Sequence, residues 1–82
     1  MENEALLRRI TVNPAISGGK PIIRGMRIPV ELIFGLLAAG ETIESVLDAY
    51  PRLERDDIRA CFAFARALMA NESIEAIEVV SA

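Results

Sequence analysis

The chain has 82 residues, 52% of them apolar, a single cysteine, no histidine and a net charge of −3. That length makes one small domain, and one cysteine excludes an internal disulfide. No apolar run approaches the roughly 18 residues of a membrane-spanning helix, and the acidic start Met1-Glu2-Asn3-Glu4 lacks the features of a signal peptide, so the expected address is cytoplasmic.

The charge is uneven. Residues 1–30 sum to +3 and residues 31–82 to −6. This reads either as an anion-facing end opposite an acidic one, or as charge balance across a dimer contact. A positive mean hydropathy on so short a chain leaves more apolar surface than a small monomer easily hides, and a homodimer is the expected remedy.

Taken in order, residues 1–9 form a short helical arm. Arg9-Ile10-Thr11-Val12 has strand character and Asn13-Pro14 turns the chain. The segment from Ser17 to Pro29 holds three of the five glycines, two of the four prolines and the one lysine, with no acidic residue. Ile22-Ile23-Arg24 and Met26-Arg27-Ile28 read as extended pieces about Gly25, a hairpin or bulged strand. Pro29 suits a first helical turn, opening a helix to about Ala39 that Gly40 stops. Thr42 caps a second helix over 43–50, with Ile43, Val46, Leu47 and Tyr50 at helical spacing. Pro51 ends it. A third helix runs from Arg55 to about Asn71 on a core stripe of Ile58, Cys61, Phe62, Ala65, Leu68 and Met69. Asp56 and Asp57 complement the dipole of its first turn. The tail, 72–82, alternates acidic and aliphatic residues, and Ile74, Ile77, Val79 and Val80 are candidates for a strand or partner-binding segment.

The chemistry of catalysis is sparse. No histidine is available to activate Ser17, Cys61 sits on an apolar stripe, and no cluster has metal-ligand spacing. Gly18-Gly19-Lys20 suggests a phosphate loop, but Pro14 stands where a Walker motif needs glycine and Pro21 where it needs Ser or Thr. Neither an enzyme nor a cofactor or metal site is expected.

The helical half has another reading. A helix over 43–50, a short turn and a helix over 55–71, supported by the helix over 29–39, is the layout of a helix-turn-helix. Arg55, Arg59 and Arg66 fall within a stripe of about 40° on the third helix at 100° per residue. They are candidates for phosphate or guanine contacts, or they snorkel beside the core and pair with Asp56, Glu54 or a dimer mate. Lys20, Arg24 and Arg27 are further candidates for phosphate. The expected fold is mainly α: a single domain with a short β element over 9–29, a three-helix, homeodomain-like bundle over 29–71 and a tail over 72–82.

The run Arg9-Ile10-Thr11-Val12-Asn13-Pro14, then Ser17-Gly18-Gly19-Lys20-Pro21-Ile22-Ile23-Arg24-Gly25 and Arg27-Ile28-Pro29-Val30, closely resembles the bacterial family known as domain of unknown function 433. Leu36-Leu37-Ala38-Ala39-Gly40, Tyr50-Pro51-Arg52-Leu53 and Asp57-Ile58-Arg59-Ala60 continue the likeness, over about residues 9–68. The family looks like VapB-type antitoxins with a helix-turn-helix fold. The resemblance implies a dimeric antitoxin that binds operator DNA as its own repressor and binds a toxin resembling a PIN-domain ribonuclease from the adjacent gene. Glu54 stands where the family commonly has a Thr or Ser cap, which implies a weaker cap on the third helix. Two alternatives stay open: a protein-interaction module without DNA binding, and a purely structural dimer.

Overall fold

The computed structural model describes residues 2–70 and 78–79, with side chains over 4–70. The element order is α1 (Glu2–Leu7), β1 (Ile10–Val12), a 3₁₀ turn (Ser17–Gly19), β2 (Pro21–Ile23), α2 (Val30–Ala38), α3 (Ile43–Ala49), α4 (Arg55–Met69) and β3 (Glu78–Val79). The protein is mainly α, with an N-terminal β-hairpin. Among the described residues no helix is long and apolar enough to cross a membrane.

β1 and β2 pair antiparallel, with Ile10 opposite Ile23 and Val12 opposite Pro21. β3 adds parallel to β1, giving the sheet order β2-β1-β3. Beyond β2 the chain reverses about Arg24 and Gly25, whose φ values are +46° and +72°. Two successive left-handed residues, closed by the Met26 N–H donating to the Ile23 carbonyl at 2.7 Å, are the signature of a type I′ turn. The turn returns the chain so that Ile22 bridges Pro29 and the Ile23 N–H reaches the Ile28 carbonyl. The second extended piece about Gly25 is thus a single bridge rather than a full strand.

Local chemistry sets the helix ends. Pro29, with φ −69° and ψ 147°, stands at the N-cap of α2, one position before the first turn. After α2 the Gly40 N–H donates to the Leu37 carbonyl and the Glu41 N–H to the Leu36 carbonyl. Gly40 at φ +103° makes this a Schellman stop. Thr42 and Ser45 cap α3 reciprocally, each side-chain oxygen accepting the other's backbone N–H at 3.0 Å.

The core is built from Leu6 of α1, Ile10 and Ile23 of the sheet, Met26, Val30, Ile33, Val46, Leu53 and the inner face of α4. α1 is more than a frayed arm, because its Leu6 is buried and it packs extensively on α4. The inner face of α4 differs from the expected stripe. Ile58 and Cys61 are buried as expected, but Phe62, Leu68 and Met69 are 49%, 56% and 82% exposed, while Asp57, Ala60, Phe64 and Ala67 are inside. The buried face is rotated by roughly 90° from the one marked by the largest apolar residues. The small side chains of Ala60 and Ala67 let neighbouring elements approach α4 on that side, and burial follows proximity rather than side-chain size.

Two glycines should respond in opposite directions to alanine. Gly35 lies within α2 with open space around a notional Cβ, so Gly35→Ala should stabilise by about 0.4–1 kcal/mol. Gly25 needs its positive φ, so Gly25→Ala should destabilise by roughly 1–2 kcal/mol. Urea titrations of both variants check the pair, and a like sign would contradict it.

Candidate functional site

The most developed polar constellation joins the hairpin to the start of α4. Asp57, the third residue of α4, has no exposed surface. Arg24, in the I′ turn, grips its carboxylate with both ends of the guanidinium fork: Nε donates to Oδ1 at 2.9 Å and Nη2 to Oδ2 at 2.8 Å. Arg9, at the entry to β1, donates from Nη1 to Oδ1 at 3.1 Å and to Glu54 Oε1 at 2.8 Å. The Glu54 backbone N–H donates to Asp57 Oδ2 at 2.8 Å. Glu54 therefore does not leave α4 poorly capped, because Asp57 reaches back and supplies the cap. Arg24 Nη2 also donates to the Arg52 carbonyl in the α3–α4 turn at 3.0 Å.

Burial alone would raise the Asp57 pKa. The Arg24 fork, the Glu54 N–H and Arg9 outweigh it and hold the carboxyl below the usual carboxylate range. The backbone is drawn in as well: the Arg24 N–H donates to the Arg9 carbonyl at 2.7 Å, and the Gly25 N–H to Thr11 Oγ1 at 3.0 Å. Asp57 thus does more than complement a helix dipole at the surface. It is the anchor of the hairpin.

The candidate phosphate-binding residues separate into groups. Arg24 is committed to Asp57. Lys20 pairs with Glu31 of α2 at 2.9 Å, at the rim of the groove beside the C-terminal half of α4. Arg27 is exposed at the foot of the turn. Arg55, Arg59 and Arg66 are all exposed along α4, as the stripe predicts. Arg55 pairs with Glu44 of α3 at 2.9 Å, holding that carboxyl below its ordinary range, and Arg59 pairs with Asp56 at 3.1 Å. Of the tail residues, Val79 lies in β3, while Ile74, Ile77 and Val80 lie outside the described residues.

Beside the arginine stripe lies an apolar groove of about 380 Å³ between α2 and α4. Val30, Phe34, Phe64, Ala65, Leu68 and Met69 form its walls. Phe62 meets Phe34 edge to face, with ring centroids 5.5 Å apart. Cys61 is fully buried, and burial pushes its thiol up to about 12, so it packs as a small apolar residue. Among the described residues no group of three or more carboxylates or thiols is placed to hold a metal ion.

Residues 10–65 match the family described as Protein of unknown function (DUF433), and the chain belongs to that family. The uncharacterized protein y4eO of Sinorhizobium fredii (strain NBRC 101917 / NGR234) is 40% identical over 58 residues, which is 71% of this chain and 26% of that protein. The chain thus spans about a quarter of the length of this relative. No solved structure matches the chain. The matched region starts at β1 and ends within α4, so it contains Arg24 and Asp57 and nearly all of the helical half.

Removing one partner of the clamp should be costly. Asp57→Ala strands two arginines and the Glu54 N–H, and should destabilise by about 3–5 kcal/mol in urea titrations. Because the folded pKa of Asp57 is depressed, its contribution is present above the ordinary carboxylate pKa and lost as pH falls through the folded value. Wild type should therefore lose stability below about pH 4 more steeply than Asp57→Asn. Parallel acid limbs would contradict the assignment.

Proposed function

We propose that the chain is a helix-turn-helix DNA-binding protein of antitoxin type, acting as a homodimer on operator DNA. In this reading α3, the turn over residues 50–54 and α4 form the helix-turn-helix, with α2 as the supporting helix of a homeodomain-like bundle. The observation that carries the reading is the solvent face of α4, where Arg55, Arg59 and Arg66 are aligned and exposed on the second helix of the pair. The ion pairs of Arg55 and Arg59 with Glu44 and Asp56 are at the surface, where such pairs contribute only up to about 1 kcal/mol and exchange readily for phosphate. The antitoxin role and a nuclease-like toxin partner rest on the family resemblance. Exposed Leu32, Phe62, Leu68 and Met69 are the apolar surface that pairing with a second copy would cover.

A second reading is a protein-interaction module without DNA binding. The apolar groove beside α4 favours it, because a partner's apolar side chain fits such a surface. Co-purification with the product of the adjacent gene, without binding to DNA, is what it predicts.

The discriminating experiment is binding to the duplex immediately upstream of the protein's own coding sequence. Log affinity should fall linearly and steeply with log salt. Arg59→Ala should narrow the gap between this duplex and a scrambled one by roughly 1–3 kcal/mol, as removal of a base-reading side chain does. Absent or salt-independent binding of the wild type would remove the DNA reading and leave the interaction module.

A further inference from the structure

The corner where the hairpin meets the α3–α4 turn carries positive charge that no carboxylate balances. The Arg24 fork holds the two elements together: it binds Asp57 at the start of α4 and reaches the Arg52 carbonyl at 3.0 Å. That hydrogen bond brings the backbone of Arg52 to the hairpin tip, three residues along the chain from Arg27. The acids of the corner already have arginine partners. Asp57 has Arg24 and Arg9, Glu54 has Arg9, Asp56 has Arg59, and Glu44 has Arg55. Arg27 and Arg52 are exposed and form no ion pair among the described residues. A chain of net charge −3 thus presents a local surplus of two positive charges beside the N-terminus of its longest helix.

We infer that Arg27 and Arg52 form a phosphate-binding corner that holds the DNA backbone next to α4. This rests on the DNA reading above and adds a division of labour to it. Phosphate contacts fix the register of a protein on the duplex, while base-edge contacts give sequence preference. The hairpin and the helix turn supply the first from Arg27 and Arg52, and the exposed face of α4 supplies the second. Arg24 is a positioning residue here. Its charge is spent on Asp57, and its role is to keep Arg27 and Arg52 on one rigid corner rather than on two independent loops. Two long cations fixed to a shared support lose less freedom on binding a phosphate pair than two on separate mobile segments. The chemistry asks for phosphate oxygens and reads no base, so the contribution should be the same for any duplex sequence.

The test uses the full chain and the duplex upstream of its own coding sequence, titrated over a range of salt. Arg27→Ala and Arg52→Ala should each make the log–log slope shallower by about 0.9, the change expected when the protein neutralises one phosphate fewer. Each should weaken binding to that duplex and to a scrambled one by the same factor. Arg27→Lys and Arg52→Lys should retain the wild-type slope, because the charge remains. Both positions are exposed, so circular dichroism should show an unchanged fold. Wild-type binding with a slope unchanged in both alanine variants overturns the corner while leaving the DNA reading intact. Wild type that binds neither duplex overturns both. An alanine variant that no longer discriminates between the duplexes, with its slope unchanged, also overturns the corner, since it would place that arginine on a base.

Discussion

The buried carboxylate of Asp57 is the constraint on which the rest of the structure depends. A fully buried charge is tolerated only when it is paired and hydrogen-bonded. Here its partners come from three parts of the chain: Arg9 before β1, Arg24 in the I′ turn and the backbone of Glu54 ahead of α4. Among the described residues no buried side-chain polar atom lacks a partner. The same group therefore caps α4, docks the hairpin and, through the hydrogen bond from Arg24 to the Arg52 carbonyl, ties down the α3–α4 turn. In a chain with a modest core, such a network supplies orientation that apolar packing alone leaves loose.

Much of the fold was legible in the sequence wherever its determinants are local. Gly40 after α2, Thr42 ahead of α3, Pro51 after it and Gly25 in the turn each act within a few residues of themselves, and each occupies the position its chemistry predicts. The buried face of α4 was not legible, because periodicity weights large side chains. Alanines count for little in such a pattern, yet Ala60 and Ala67 mark where neighbours come closest. The network at Asp57 was hidden for a related reason. An acid in a first helical turn ordinarily faces solvent, and its arginine partners are 33 and 48 residues away. One local signal was present: Glu54 and Asp57 stand at the capping-box spacing, with the carboxylate at the third helical position.

The network also redistributes the candidate binding residues. Arginine count alone would assign Arg24 to a ligand, yet the fold uses it. Lys20 sits beside Glu31, at the groove rim. What remains for a polyanion is the exposed face of α4 and the corner of Arg27 and Arg52, which the clamp itself positions. Arg52 carries no signal in the sequence, where it is an isolated arginine after a proline. Its significance arises only when the hairpin tip is seen against its carbonyl. The stability of the fold and the placement of a binding surface are thus consequences of one interaction.

The most direct test of that coupling is a double-mutant cycle on Arg24→Ala and Asp57→Ala, with unfolding free energies measured in urea. If the clamp is the organising interaction, the double variant should be little less stable than either single one, with an interaction energy toward the upper end of the roughly 0.5–3 kcal/mol range seen for contacting residues. If instead the two destabilisations add to within about 0.3–0.5 kcal/mol, as for distant independent sites, Arg24 and Asp57 do not act as a unit and the organising role of the clamp is contradicted.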